Sequence, residues 1–117
     1  MPSLPPRTIT THVVLHCCPT GVEALNIGAF ELAGGGGELR MKIAKALDIS
    51  TEYWKHNCVC NLANHSRTIK KVPINVLLDL IANEGYELKT MSTCPYDTTK
   101  DEGLTYTFVK VEIQSGV

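Results

Sequence analysis

Apolar residues along this chain follow two rhythms, and the switches between them mark out its elements. Thr8 to Cys17 (TITTHVVLHC) is rich in β-branched residues and alternates. Val13, Leu15 and Cys17 fall on one side, and His12, Val14 and His16 on the other, which predicts a strand. Cys18-Pro19-Thr20-Gly21 closes it, because Pro and Gly together mark a turn. Val22 to Leu32 mixes helix-forming and strand-forming residues. Gly28 and the four glycines at 34–37 weaken a helix there, so strand and irregular structure are expected. Gly34 to Gly37 reads as a flexible loop. Glu38 to Leu47 predicts a helix with Leu39, Ile43, Ala46 and Leu47 on one side and Glu38 at the positive end of its dipole. Tyr53 to Leu62 (YWKHNCVCNL) reads as a strand that aligns His56, Cys58 and Cys60, and Asn61 to Lys71 as a polar loop.

The clearest unit follows. Pro73 suits the first turn of a helix, where its missing N–H has no partner to lose. Val76, Leu77, Leu80 and Ile81 draw its apolar stripe, and Gly85 stands where a left-handed residue ends a helix. Tyr86, Leu88 and Thr90 then alternate with Glu87 and Lys89, the period of a half-buried strand. A polar hairpin loop is expected over 93–103, and a closing strand from Leu104 to Ile113. The order β-(β)-α-β-α-β-β predicts an α+β fold, an antiparallel sheet with two helices packed on one face. The domain is expected over residues 9–113, after a Pro-rich lead (1–8) and before a short tail (114–117).

Composition narrows the function more than it names it. A chain of 117 residues suits one domain with one core. Its 11 Lys and Arg against 12 Asp and Glu give a net charge of −1. No field holds nucleic acid or an anionic membrane. No apolar run approaches the ~18 residues of a membrane-crossing helix. The stretch Met1-Pro2-Ser3-Leu4-Pro5-Pro6 has neither the charged nor the apolar region of a secretory signal. Five cysteines, an odd number at irregular spacings, read as reduced thiols. The cytoplasm is the expected location.

No catalytic constellation stands out. A phosphate loop needs Lys and a hydroxyl residue after its glycines, whereas Gly37 is followed by Glu38 and Leu39. His56, Cys58 and Cys60, with His12, His16, Cys17 and Cys18, are ligand types for zinc, but C-x-C and C-C are not the spacing of structural zinc knuckles. No metal and no cofactor is expected. Adjacent pairs such as His16–Cys17 point to opposite faces of a strand, which removes the simplest activated thiol. Asp97, Asp101 and Glu102 surround Lys100 and do not follow the calcium-loop pattern. The expectation is a protein that is not an enzyme.

Several short segments resemble one family, the feedback regulatory proteins of GTP cyclohydrolase I. They are Thr11-His12-Val13-Val14-Leu15 through Pro19-Thr20, Glu38-Leu39, Pro73 through Asp79, Glu84 through Met91, and Gly103-Leu104-Thr105. The resemblance implies a regulator rather than a catalyst: a homo-oligomer, a ring of five subunits, docked on the cyclohydrolase. Such a protein transmits inhibition by tetrahydrobiopterin and stimulation by phenylalanine, the latter held where regulator and enzyme meet. Carried over residue by residue, effector contacts are expected at Val13, Leu15, Gly103 and Thr105, and partner contacts at the turn of Pro19 and Thr20. Where the family has a polar glutamine after the hairpin glycine, this chain has Leu104. Two other readings stay open: a stand-alone α+β binding or oligomerisation module, and a thiol or zinc-binding protein.

Overall fold

The computed structural model describes residues 4–19, 26–95 and 102–116, with side chains placed at 7–17, 26–92 and 103–113. Over these residues the architecture is α+β, one antiparallel sheet of six strands with four helices packed on it. In chain order the elements are β1 (Leu4–Pro19), β2 (Asn26–Gly34), α1 (Gly36–Leu47), α2 (Thr51–His56), β3 (Val59–Asn61), α3 (Leu62–His65), β4 (Val72–Pro73), α4 (Ile74–Ala82), β5 (Glu87–Pro95) and β6 (Glu102–Gly116). The sheet runs β3-β2-β1-β6-β5, with β4 also pairing β2.

Strand β1 alternates as its sequence requires. Val13, Leu15 and Cys17 are wholly buried, facing the helices with Leu32 and Phe30 of β2 and Phe108 and Tyr106 of β6. Helix α1 buries Leu39, Ile43, Ala44 and Leu47 on that layer. Its inner stripe includes Ala44 and leaves Ala46 exposed, since i, i+4, i+5, i+8 is the row that one helical face presents. Helix α4 corrects its predicted stripe in the same way. Ile74, Leu77 and Ile81 are buried, Leu78 and Leu80 partly so, while Val76 is 37% exposed. Pro73 does not occupy the first turn; it is the residue before the helix, extended at φ −59° and ψ 140°, and it pairs with Asn26. Gly85 has φ +93°, the left-handed residue expected after α4.

Residues 53–62 are not one strand. Thr51–His56 is a helix that inserts Trp54, 4% exposed, beneath Arg40 and beside Phe30 at 5.9 Å. Only Val59–Asn61 pairs with β2. His56 is therefore on a helix while Cys60 is in the core, and the aligned His56–Cys58–Cys60 face does not form. The glycine run is not a flexible loop either. Gly34 (φ +83°) ends β2, and a Cβ there would lie 2.1 Å from the His12 carbonyl oxygen. At Gly35 (φ +78°) a Cβ would meet Leu39 at 2.7 Å and Val13 at 2.8 Å. These two glycines let the chain turn tightly from sheet to helix.

Strand β5 reaches Pro95 and β6 starts at Glu102, so both strands extend into the predicted hairpin loop, whose tip lies outside the described residues. Leu88 is 44% exposed, near an irregularity of register between Leu88 and Thr90. Beyond Val13 on β1 and Val109 on β6 the neighbouring strands stop pairing, and β1 and β6 continue alone as a two-stranded ribbon to Leu4 and Gly116. The ribbon begins inside the Pro-rich lead and gives the molecule a 62 Å long axis.

Candidate functional site

Two surfaces have distinctive chemistry. The first is the sheet face opposite the helices. The register lays Val59, Glu31, His16, Thr105 and Ser92 in one row across β3, β2, β1, β6 and β5. His16 Nδ1 and Thr105 Oγ1 are 2.8 Å apart and share a hydrogen bond. The Cys58 thiol reaches Glu31 Oε1 at 3.7 Å, donating weakly to it. The next rows are less polar: Ala33, Val14, Thr107 and Thr90, then His12, Val109 and Glu87. On the ribbon, Val111 and Ile113 continue this face opposite Thr10 and Thr8, and are 60% and 76% exposed.

The sequence-predicted site residues divide between the two sides of the sheet. Thr105 is half-buried on the open face. Gly103 is buried and pairs with Cys94, and Pro19 pairs with Ile27. Cys17 lies opposite Leu104, so Pro19, Gly103 and Thr105 gather at one end of the sheet. Val13 and Leu15 are wholly buried on the helix side and back this surface rather than line it. Leu104 packs against the same core, and an apolar residue suits that inward position. Thr20 lies outside the described residues.

The second surface is a groove of about 440 Å³ between the first turns of α1 and helix α2, lined by Gly36, Gly37, Arg40, Met41, Thr51, Trp54 and Lys55. Local sequence pattern places Trp54 in a strand, which hides this groove. Ser50 ahead of Glu52, a helix-start pattern, was the available signal. Arg40 Nη1 donates to the Trp54 carbonyl at 3.2 Å and Nη2 to the Leu32 carbonyl at 3.3 Å, with the guanidinium carbon 5.8 Å from the centre of the Trp54 ring. Among the described residues no carboxylate pairs with Arg40. Among the described residues nothing accepts a hydrogen bond from the buried Trp54 indole N–H, at a cost of about 1–3 kcal/mol.

Thiol chemistry is subdued. Among the described residues Cys58 and Cys60 form no disulfide, and burial pushes the Cys60 thiol up to about 11. Burial also raises the Tyr53 phenol, with smaller contributions from the thiolate forms of Cys60 and Cys58. Tyr53 stacks on His65 with ring centres 3.7 Å apart. Among the described residues no three His, Cys, Asp or Glu side chains converge in a group that could hold a metal ion. Among the described residues no helix is long and apolar enough to cross a membrane.

No family model, curated protein or solved structure matches the chain.

Proposed function

We propose that this chain is a non-catalytic regulatory protein of the GTP cyclohydrolase I feedback type. It acts in the cytoplasm by docking on that enzyme and biasing it between inhibited and stimulated states in response to tetrahydrobiopterin and phenylalanine. The observation that carries the reading is the open sheet face. Its rows run from the polar His16–Thr105 pair to exposed Val111 and Ile113, and among the described residues the helices pack on the other side. Apolar surface of this kind, rimmed by polar groups, suits a protein partner. The resembling segments at Pro19 and at Gly103–Thr105 meet at one end of that face. Thr105 and Gly103 would then lie nearest a small effector held at the junction, with Val13 and Leu15 supporting the sheet behind them. Pro19 and Thr20 would contact the partner.

Self-association belongs to the same proposal, as a ring of five subunits that presents the face repeatedly. Regulation is then a coupling between effector and partner binding, each favouring one assembled state. Size-exclusion chromatography of the purified chain mixed with GTP cyclohydrolase I tests it, with phenylalanine or tetrahydrobiopterin in the running buffer. Co-elution in the presence of an effector is expected. Separate elution under both conditions would sink the proposal.

A further inference from the structure

We propose that the groove between α1 and α2 is a binding site for a small organic carboxylate with an apolar body. The groove lies on the helix side of the sheet, so the inference does not depend on the partner-docking reading. Its size falls within the usual range for small-molecule sites, about 300–1,000 Å³.

The floor of the groove is bare backbone. A Cβ added at Gly36 or Gly37 would meet nothing within 4 Å, so a ligand can lie close against the first turn of α1. That turn has no side-chain cap, and the leading N–H groups of a helix have no partner within it. Glu38, the acidic residue of the turn, is exposed and does not line the groove, and Leu39 is turned into the core.

The wall supplies the second half of the recognition. Arg40 spends one N–H of each terminal nitrogen on a backbone carbonyl and meets no carboxylate among the described residues. Three of its five donors remain. The groove thus gathers two kinds of donor, the guanidinium and the N–H groups of the uncapped helix turn. Lys55 stands at the rim, already paired with Glu52 at 3.1 Å. One unpaired fork-shaped cation suits a single carboxylate, whose two oxygens it can engage together. A phosphate would call for more charge than one guanidinium and a compensated lysine supply. Met41, 56% exposed, offers most of the apolar surface for the rest of the molecule, with the small exposed part of Trp54 beside it.

Trp54 is the single tryptophan of the chain, so its fluorescence reports on the groove directly. Titration of the full chain with hexanoate is expected to give a saturable change with a Kd of about 1 mM or tighter. Benzoate, followed by calorimetry, should behave alike. Arg40→Gln should weaken hexanoate at least ~10-fold, the value of a charge-assisted hydrogen bond. Because Arg40 also braces two carbonyls, Gly37→Leu provides the independent check. Its backbone is not left-handed and the space above it is open, so the fold should survive, by circular dichroism, while the groove is filled and hexanoate binding is lost. No saturable change with either carboxylate overturns the proposal. So does a response to inorganic phosphate alone, or hexanoate binding undiminished in folded Gly37→Leu.

Discussion

Ser66 Oγ donates a hydrogen bond to the carbonyl of Leu47, 19 residues earlier, and accepts one from the Ile69 N–H at 3.0 Å. One hydroxyl thereby fixes the end of α1 to the segment that leads into β4. The Arg67 N–H adds a bond to the Asp48 carbonyl at 3.2 Å. Ser66→Ala leaves an N–H and a carbonyl without their partner. It should lower stability by about 1–2 kcal/mol in urea unfolding. A loss below ~0.3 kcal/mol would show that water replaces the hydroxyl.

The glycines at 34 and 37 should respond oppositely to alanine. At Gly34 the new methyl collides with a backbone oxygen in a left-handed conformation, so Gly34→Ala should cost at least ~3 kcal/mol and much of the soluble yield. Gly37→Ala enters open space in the first turn of a helix, and should stabilise by roughly 0.4–1 kcal/mol. Thermal unfolding of both variants measures the contrast. Equal effects would contradict the tight turn.

Alkali should loosen the core. The folded Cys60 thiol titrates at about 11 against an ordinary 9.0, so the native state holds its proton more firmly than the unfolded chain. That contribution is fully present below pH 9 and is lost as pH rises through about 11, on the order of 2–3 kcal/mol. Burial raises Tyr53 and Tyr106 in the same sense. Cys60→Ala should flatten the decline between pH 9 and 11, whatever its cavity costs at neutral pH. Urea midpoints across that window decide the matter.

Val111 and Ile113 are exposed enough that aspartate at both should change the stability of an isolated subunit by no more than about 1 kcal/mol. If the open face and its ribbon assemble subunits or hold the enzyme, the double variant should sediment as a smaller species and fail to co-elute. A folded double variant with unchanged sedimentation and unchanged co-elution would remove the ribbon from the interface.

What the sequence disclosed follows from the range of the forces involved. Strands β1 and β6 and helix α1 announce themselves by local periodicity, and Gly85 by its place after α4. The Thr51–His56 helix was hidden because Tyr53, Trp54 and Val59 favour a strand locally. It forms because Trp54 finds Phe30 and Arg40, contacts made across the fold. Gly34 looked like part of a linker because His12, the residue it must avoid, is distant in sequence. Thr105 and Gly103 were picked out by short segments, and their meeting with Pro19 needed the register of the sheet. The Arg40–Trp54 groove had no signature of its own once α2 was read as a strand.

The middle of the sheet also governs how the molecule can be made. Its central pair joins His16 to Thr105 across 89 positions, so the earliest and latest strands of the domain must find each other before the core has a floor. Helices α1 and α4 have nothing complete to rest on until β6 exists. Folding should therefore be a late, all-or-none event, slow for the chain's length because distant segments must close first. A nascent chain halted before β6 would be a substrate for chaperones rather than a partly working protein.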